Sequence, residues 1–288
     1  MKKIIILLPI YNDWESLLKV LNEIDSVIKD IQKYEFECII VNDSSTIETP
    51  KIIKPKNFNS LKIITMKENR GHARCNAFGL RYINLNETYD YVIVMDSDGE
   101  DRPVEIRSLI NKISEKPETS VVAKRIKRSE GLIFQTLYHT HKLITFIFTG
   151  KKINFGNYSC LTKKDVNILY DKASLWSSFS GSVKKHLTIL NEVDSIRGLR
   201  YFGPSKMSLF NLAIHSFSII AVFKYTVFLR STFMIIILSF LTKALGLFAI
   251  TFQVLIVFFN LLIFIISMRE NEKEFIKSNE NILDEITH

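Results

Sequence analysis

From Leu209 to Met268 the chain is almost wholly apolar, and the ionisable side chains that interrupt the run are His215, Lys224, Arg230 and Lys243. A soluble core rarely absorbs such a stretch, since roughly 17–25 apolar residues already cross the hydrocarbon layer of a bilayer. Leu209 to Phe223 also carries Asn211, His215 and Ser218 and is bounded by Lys206 and Lys224, which suits an amphipathic helix lying in the membrane interface over residues 206–224. Residues 225–268 then hold enough apolar length for a hairpin of two transmembrane helices. The sequence leaves the turn open, because Lys243 sits either near it or snorkels from within a span. A hairpin returns the polar tail, 269–288, to the cytosol, with Lys206, Lys224, Arg230 and Arg269 on the positive-inside face. The expected location is the cell membrane, multi-pass.

Residues 1–205 are enough for one α/β domain with its own core. Met1-Lys2-Lys3 followed by Ile4 to Leu8 looks briefly like a signal peptide, but the run meets Pro9, Asn12, Asp13 and Glu15 too early, so a buried first strand and a cytosolic domain are expected. Cys38, Cys75 and Cys160 form no C-x-x-C pair, which argues against a disulfide framework or a zinc site. With 38 Lys and Arg against 30 Asp and Glu, the net charge of +8 calls for an anionic partner. Beside a membrane segment, lipid and phosphorylated substrates fit that charge, and nucleic acid is not expected.

Ile4 to Leu8 reads as a strand, and Leu17, Leu21, Ile24, Ile28 and Ile31 follow at helical spacing, with Asn12 and Glu15 as a capping pair. Strand-like runs recur at Cys38–Val41, Leu61–Thr65, Tyr91–Met95 and Ser120–Ala123. Helical patterns lie at Ala73, Ala77, Leu80 and at Val104, Ile106, Leu109, Ile113, the second opened by Pro103. Alternation of this kind predicts a mostly parallel, Rossmann-like sheet with helices on both faces. Such sheets bind ligands at the carboxyl ends of their strands, where Tyr11-Asn12-Asp13, Asn42-Asp43-Ser44-Ser45 and Asp96-Ser97-Asp98 fall.

Asp96 and Asp98 leave the apolar strand Tyr91–Met95 as two carboxylates within reach of one hard cation, Mg2+ or Mn2+. A metal on the phosphates of a nucleotide-sugar stabilises charge as the diphosphate departs. An isolated D-x-D is more often a solvated turn, and its place at the ligand edge is what favours function. Asp43 suits either a base or ribose contact or a turn. Asn69-Arg70-Gly71-His72-Ala73 joins a strand to a helix start, where free amides admit an anion, although most such loops only connect.

Together these segments resemble glycosyltransferase family 2, with its GT-A fold, and within it the polyprenyl-phosphate branch that includes dolichol-phosphate mannose synthase. The resemblance rests on Pro9-Ile-Tyr11-Asn12-Asp13, Val41-Asn42-Asp43-Ser44-Ser45, the stretch Asn69 to Gly79, and Asp96-Ser-Asp98-Gly-Glu100-Asp101-Arg-Pro103. It implies that Pro9, Tyr11, Asp13, Val41 and Asp43 line the base and ribose, and that Asp96, Ser97 and Asp98 meet the diphosphate and metal. It also places Glu100 where the branch often has a Gln metal ligand. Asp13, Asn42 and Ser44 depart from the usual Glu, acid and Gly, which bears on donor specificity. The basic segments Ala123 to Gly131 and Arg200 to Lys206 match family elements bordering the cleft. They imply Arg200 and Lys206 on the donor and Arg125 and Arg128 on the acceptor phosphate. Asp96, Asp98, Asp101 and Arg125 form the expected catalytic set.

A hydroxyl acceptor needs a general base. The region Asn154 to Ser159 offers amides where relatives often have acids, whereas a lipid phosphate is already anionic and needs no base; Asp101 or Asp165 remain alternatives for that role. His139 and His141 either reach an acceptor phosphate or cover a helix face, and Trp14 and Trp176 are read as packing residues. The expected reaction is metal-dependent, inverting transfer from a UDP- or GDP-sugar to a polyprenyl phosphate at the cytosolic membrane face. A membrane-anchored enzyme of the same family acting on a glycan hydroxyl, and a non-catalytic partner in glycan assembly, are the competing readings. Homo-oligomer formation is left open.

Overall fold

The computed structural model describes residues 1–127, 132–203 and 208–288. Eight strands are described: β1 (Lys2–Ile10), β2 (Tyr34–Asn42), β3 (Ser60–Met66), β4 (Tyr91–Val94), β5 (Val121–Lys127), β6 (Phe155–Thr162), β7 (Asn191–Ile196) and β8 (Ile282–Thr287). They form one sheet in the order β7-β5-β6-β4-β1-β2-β3-β8. The central strands β3, β2, β1 and β4 are mutually parallel, so Ile10, Asn42 and Val94 end on the same edge. Strand order reverses between β1 and β4, the crevice where open α/β sheets take their ligands.

Helices α1 (Trp14–Ile28), α2 (His72–Asn86), α3 (Ile106–Glu115), α4 (Leu132–Thr149), α5 (Lys163–Leu169), α6 (Ser174–Ser177) and α7 (Phe179–His186) lie between strands. Ile4, Ile6 and Leu8 of β1 face Leu17, Leu21 and Ile24 of α1, with Leu109 and Ile113 of α3. Ile5 and Leu7 face Phe78, Leu80 and Ile83 of α2 on the other side. Burial on both faces explains why β1 reads as an unbroken apolar run.

The sheet is less parallel than its pattern implied. β6 runs antiparallel to both β4 and β5, and β8 antiparallel to β3. Asn12 does not cap α1. It lies at φ +54, and its side-chain oxygen accepts the amides of Thr46 (2.8 Å) and Ile47 (3.1 Å), tying the loop after β1 to the loop after β2.

After α8 (Leu209–Ala221) come α9 (Lys224–Leu245) and α10 (Leu247–Ser267), two helices long and apolar enough to cross a membrane. They pack on each other, and most of their apolar surface is exposed, Phe240 by 83%. Gly246 makes the turn at φ +52, a conformation that favours glycine. Lys243 sits in the last turn of α9, beside that bend. At the other end the hairpin is closed by Lys224 and Glu270 (2.8 Å) and by a cluster of Ile220, Val227, Ile263 and Ile266. The segment expected as a polar tail is built into the α/β domain: α11 (Glu272–Ile276) buries Phe275, and β8 completes one sheet edge. The reason lies in its pattern, since one apolar anchor and a half-polar edge strand give little hydropathy signal.

Candidate active site

β1 and β4 are neighbours, so Tyr11–Asp13 and Asp96–Asp98 emerge side by side. Ser97 fastens the two loops, its buried hydroxyl donating to the Pro9 carbonyl at 2.6 Å. Its neighbours Asp96 and Asp98 are left to the cleft, each about one-sixth exposed at the side chain.

Each carboxylate meets a basic side chain. His72, the first residue of α2, places Nε2 3.0 Å from Asp96 Oδ1, and the Asn157 amide of β6 donates to the same oxygen at 3.1 Å. Burial works to raise the Asp96 pKa, but the His72 charge and hydrogen bond outweigh it and hold the carboxyl well below its usual range. Burial likewise opposes the charged form of His72, and the Asp96 carboxylate reverses that, so its pKa is raised. Asp98 pairs with Arg200 at 2.8 Å, and Arg200 reaches Asp13 with its other terminal nitrogen. Burial, together with the charges of Asp96 and Glu100, pushes Asp98 up to about 6.

The segment after β7 holds the turn between these acids. Gly198 N–H donates to the Glu100 carbonyl (2.8 Å) and Tyr201 N–H to that of Asp98 (3.0 Å), while Arg197 pairs with Glu100. Gly99 lies at φ +90 with the Tyr201 ring so close that an added Cβ would fall 2.7 Å from it. Asp101 is buried and accepts the Asp96 amide at 3.0 Å; burial and the Asp96 charge raise its pKa to about 7. The Arg125 guanidinium packs on Gly156, where a Cβ would lie 2.3 Å from it, and its charge acts on Asp101.

Other expected site residues stand differently. Val41 is fully buried, Pro9 is buried with its carbonyl engaged by Ser97, and Tyr11 is exposed. Asp43 is buried, and its two oxygens accept the amides of Arg70 and Gly71, both at 2.8 Å. Burial raises its pKa against those two bonds. Asp165 follows Thr162, which pairs with Tyr91 at the amino end of β4, so it lies at the opposite sheet edge from Asp96 and bonds Ser120 there. His141 contacts the Ser216 carbonyl at 2.9 Å and ties α4 to α8. Arg128 and Lys206 fall outside the described residues.

Sequence reasoning missed His72, Asn157 and Arg197. His72 had a readable signal, its place beside Gly71 at a helix start on the ligand edge. Asn157 lies in the amide-bearing stretch Asn154 to Ser159, but its contact with Asp96, 61 positions away, had no signal in the sequence.

The Asp96 and Asp98 carboxylates are hard oxygen donors of the kind that suits Mg2+ or Mn2+, with phosphate oxygens suited to the remaining positions. Glu100 is turned to Arg197, and among the described residues no three His, Cys, Asp or Glu side chains converge as a metal set.

Residues 5–179 match the family model described as glycosyl transferase family 2. The undecaprenyl-phosphate 4-deoxy-4-formamido-L-arabinose transferase of Photorhabdus laumondii is 26% identical over 222 residues, 73% of this chain. The match spans 65% of that protein's length, just under two thirds. The transferase of the same name from Yersinia pestis is 24% identical over 264 residues, 89% of this chain and 76% of that protein. Glucosyl-3-phosphoglycerate synthase from Mycobacterium tuberculosis, solved with Mn2+, UDP-glucose and phosphoglyceric acid, shares the fold at a TM-score of 0.51, with 14% identity over 78% of this chain and 80% of that one. With the family model covering well over half of its length, the chain belongs to glycosyl transferase family 2.

Proposed function

We propose that the chain transfers a sugar from a UDP- or GDP-sugar to a polyprenyl phosphate, with inversion, at the cytosolic face of the cell membrane. The observation that carries this reading is the Asp96-Ser97-Asp98 turn, set at the β1/β4 switch point and ringed by His72, Arg197 and Arg200. That ring of basic side chains suits a ligand that brings its own phosphates. The names of the matched transferases support a lipid phosphate as acceptor.

Asp96 and Asp98 would hold Mg2+ or Mn2+, which when bound supplies positive charge to the departing diphosphate. Arg200 exchanges its carboxylate partners for diphosphate oxygens, and its planar fork suits them bidentately. Arg125 faces the same acids from β5 and is placed to attract the acceptor phosphate. Asp43 and the loop Asn69–Gly71 border the base and ribose. A phosphate acceptor attacks as an anion without a protein base, which agrees with the amide at Asn157 and with Asp165 at the far edge. α9 and α10 cross the bilayer as a hairpin, with α8 in the interface on the catalytic side.

The test uses full-length protein in detergent with labelled UDP- and GDP-sugars, undecaprenyl phosphate and Mn2+. A lipid-linked sugar that disappears in Asp98→Ala is the expected result. Transfer to a glycan hydroxyl that is lost in Asp101→Asn, with none to the lipid phosphate, would favour the hydroxyl reading instead.

A further inference from the structure

We infer that residues 271–287, which follow the apolar hairpin, position the donor loop of the catalytic domain through a pair between Glu274 and Arg70. The inference rests on the donor-binding role proposed above for Asp43 and Asn69–Gly71.

The loop hangs from two supports. On one side Asp43, at the end of β2, takes the amides of Arg70 and Gly71, and the Asn69 side chain donates to the Asp43 carbonyl at 3.1 Å. On the other side the Arg70 guanidinium pairs with Glu274 of α11, and with Glu68 at 2.9 Å. Glu274 is itself fixed. Asn271 caps α11 by accepting the Glu274 amide at 3.1 Å, and Phe275 beside it is fully buried, its ring centroid 5.5 Å from that of Trp176.

Residues beyond α11 continue the attachment. The Asn281 carbonyl accepts the Lys67 amide (2.8 Å), and the Glu280 carbonyl accepts the Lys67 ammonium (2.7 Å). β8 then runs the length of β3, and Glu285 meets Tyr82 (2.8 Å) and Lys62 (3.1 Å). Both flanks of residues 67–71 are therefore held by chain that comes after the hairpin. Without Glu274, the Arg70 guanidinium keeps, among the described residues, the exposed Glu68, and its main chain keeps the Asp43 carboxylate at the amide and Arg74 at the carbonyl (3.1 Å). An ordered loop that binds a nucleotide loses affinity when it must be ordered on binding.

The test compares Glu274→Gln, Glu274→Asp and Glu285→Gln as full-length proteins. Amide hydrogen exchange in residues 67–72 and in β8 reports on the loop and on docking separately. Calorimetry with UDP and GDP in Mn2+ and donor kinetics report on binding. In Glu274→Gln, exchange at Arg70 and Gly71 rises while β8 stays protected, and donor KM rises about fivefold with kcat nearly unchanged, a shift of the size expected for one partly buried charged pair. Glu274→Asp restores most of the loss. Glu285→Gln leaves residues 67–72 as they were. Unchanged loop exchange in Glu274→Gln, or equal loosening by Glu285→Gln, overturns the inference. If wild-type protein binds no nucleotide while the exchange pattern holds, the transferase reading fails and the link between Glu274 and the loop stands.

Discussion

Arg200 bridges Asp13 and Asp98, and a divalent cation bound by Asp98 must compete with it. Replacing Arg200 with Gln should therefore tighten metal binding in the absence of nucleotide. Two unit charges about 4 Å apart attract by about 4 kcal/mol at an effective dielectric near 20. The guanidinium regains hydration when released, and its side chain is 16% exposed against 17% for Asp98, so the net hold is nearer about 1–2 kcal/mol. Removing it should raise Mn2+ affinity by roughly 5–30-fold. The assay is calorimetric titration of Mn2+ at pH 8, where Asp98, titrating at about 6, is ionised. UDP affinity measured with saturating Mn2+ should move the other way, weakening about tenfold as a charge-assisted contact to phosphate is lost. Opposite signs for the two ligands are the signature. Unchanged or weaker Mn2+ binding in a variant with a normal circular dichroism spectrum would refute the competition.

Gly79 in α2 lies on β1, where an added Cβ would fall 2.4 Å from the Leu7 Cδ1 atom. Leu7 is fully buried and cannot retreat, so Gly79→Ala should cost about 1–3 kcal/mol from overpacking, offset by about 0.5–1 kcal/mol of helix preference; chemical denaturation reads the net loss. Asp43→Ala leaves the amides of Arg70 and Gly71 without their acceptor and should lower stability by about 1–3 kcal/mol and nucleotide binding with it, measured by denaturation and calorimetry. Lys243→Cys, beside the Gly246 bend, should react with a membrane-impermeant thiol reagent only from the side away from the catalytic domain; labelling from the catalytic side sinks the hairpin topology.

Elements whose burial is uniform were legible before any coordinates. β1 is apolar at every position from Ile4 to Leu8 because both its faces are covered, and α1 repeats Leu17, Leu21, Ile24, Ile28 on one side. β6 was not legible. Gly156, Asn157 and Ser159 break its pattern because this strand borders the cleft and spends positions on polar contacts. β8 escaped for a related reason, being an edge strand with Asp284 and Glu285 exposed. In the site, Asp96 and Asp98 stood out through their position after an apolar strand. Arg200 was legible as a basic residue bordering the cleft, but its pairing with Asp98, and that of His72 with Asp96, was not, since these side chains come from remote segments that the folded sheet brings near.

The pairing of β3 with β8 has a consequence for how the protein is made. Lys62 must find Thr287, and between them in the chain lie strands β4 to β7, their helices and both apolar helices. A ribosome delivers β3 long before its neighbour, so that edge waits until residues 282–287 arrive. Sheet completion is then a late event in synthesis, and with α9 and α10 crossing the bilayer as proposed above it follows their insertion. A molecule in which β8 fails to reach β3 keeps an open edge, a template for aggregation that proteolysis can recognise.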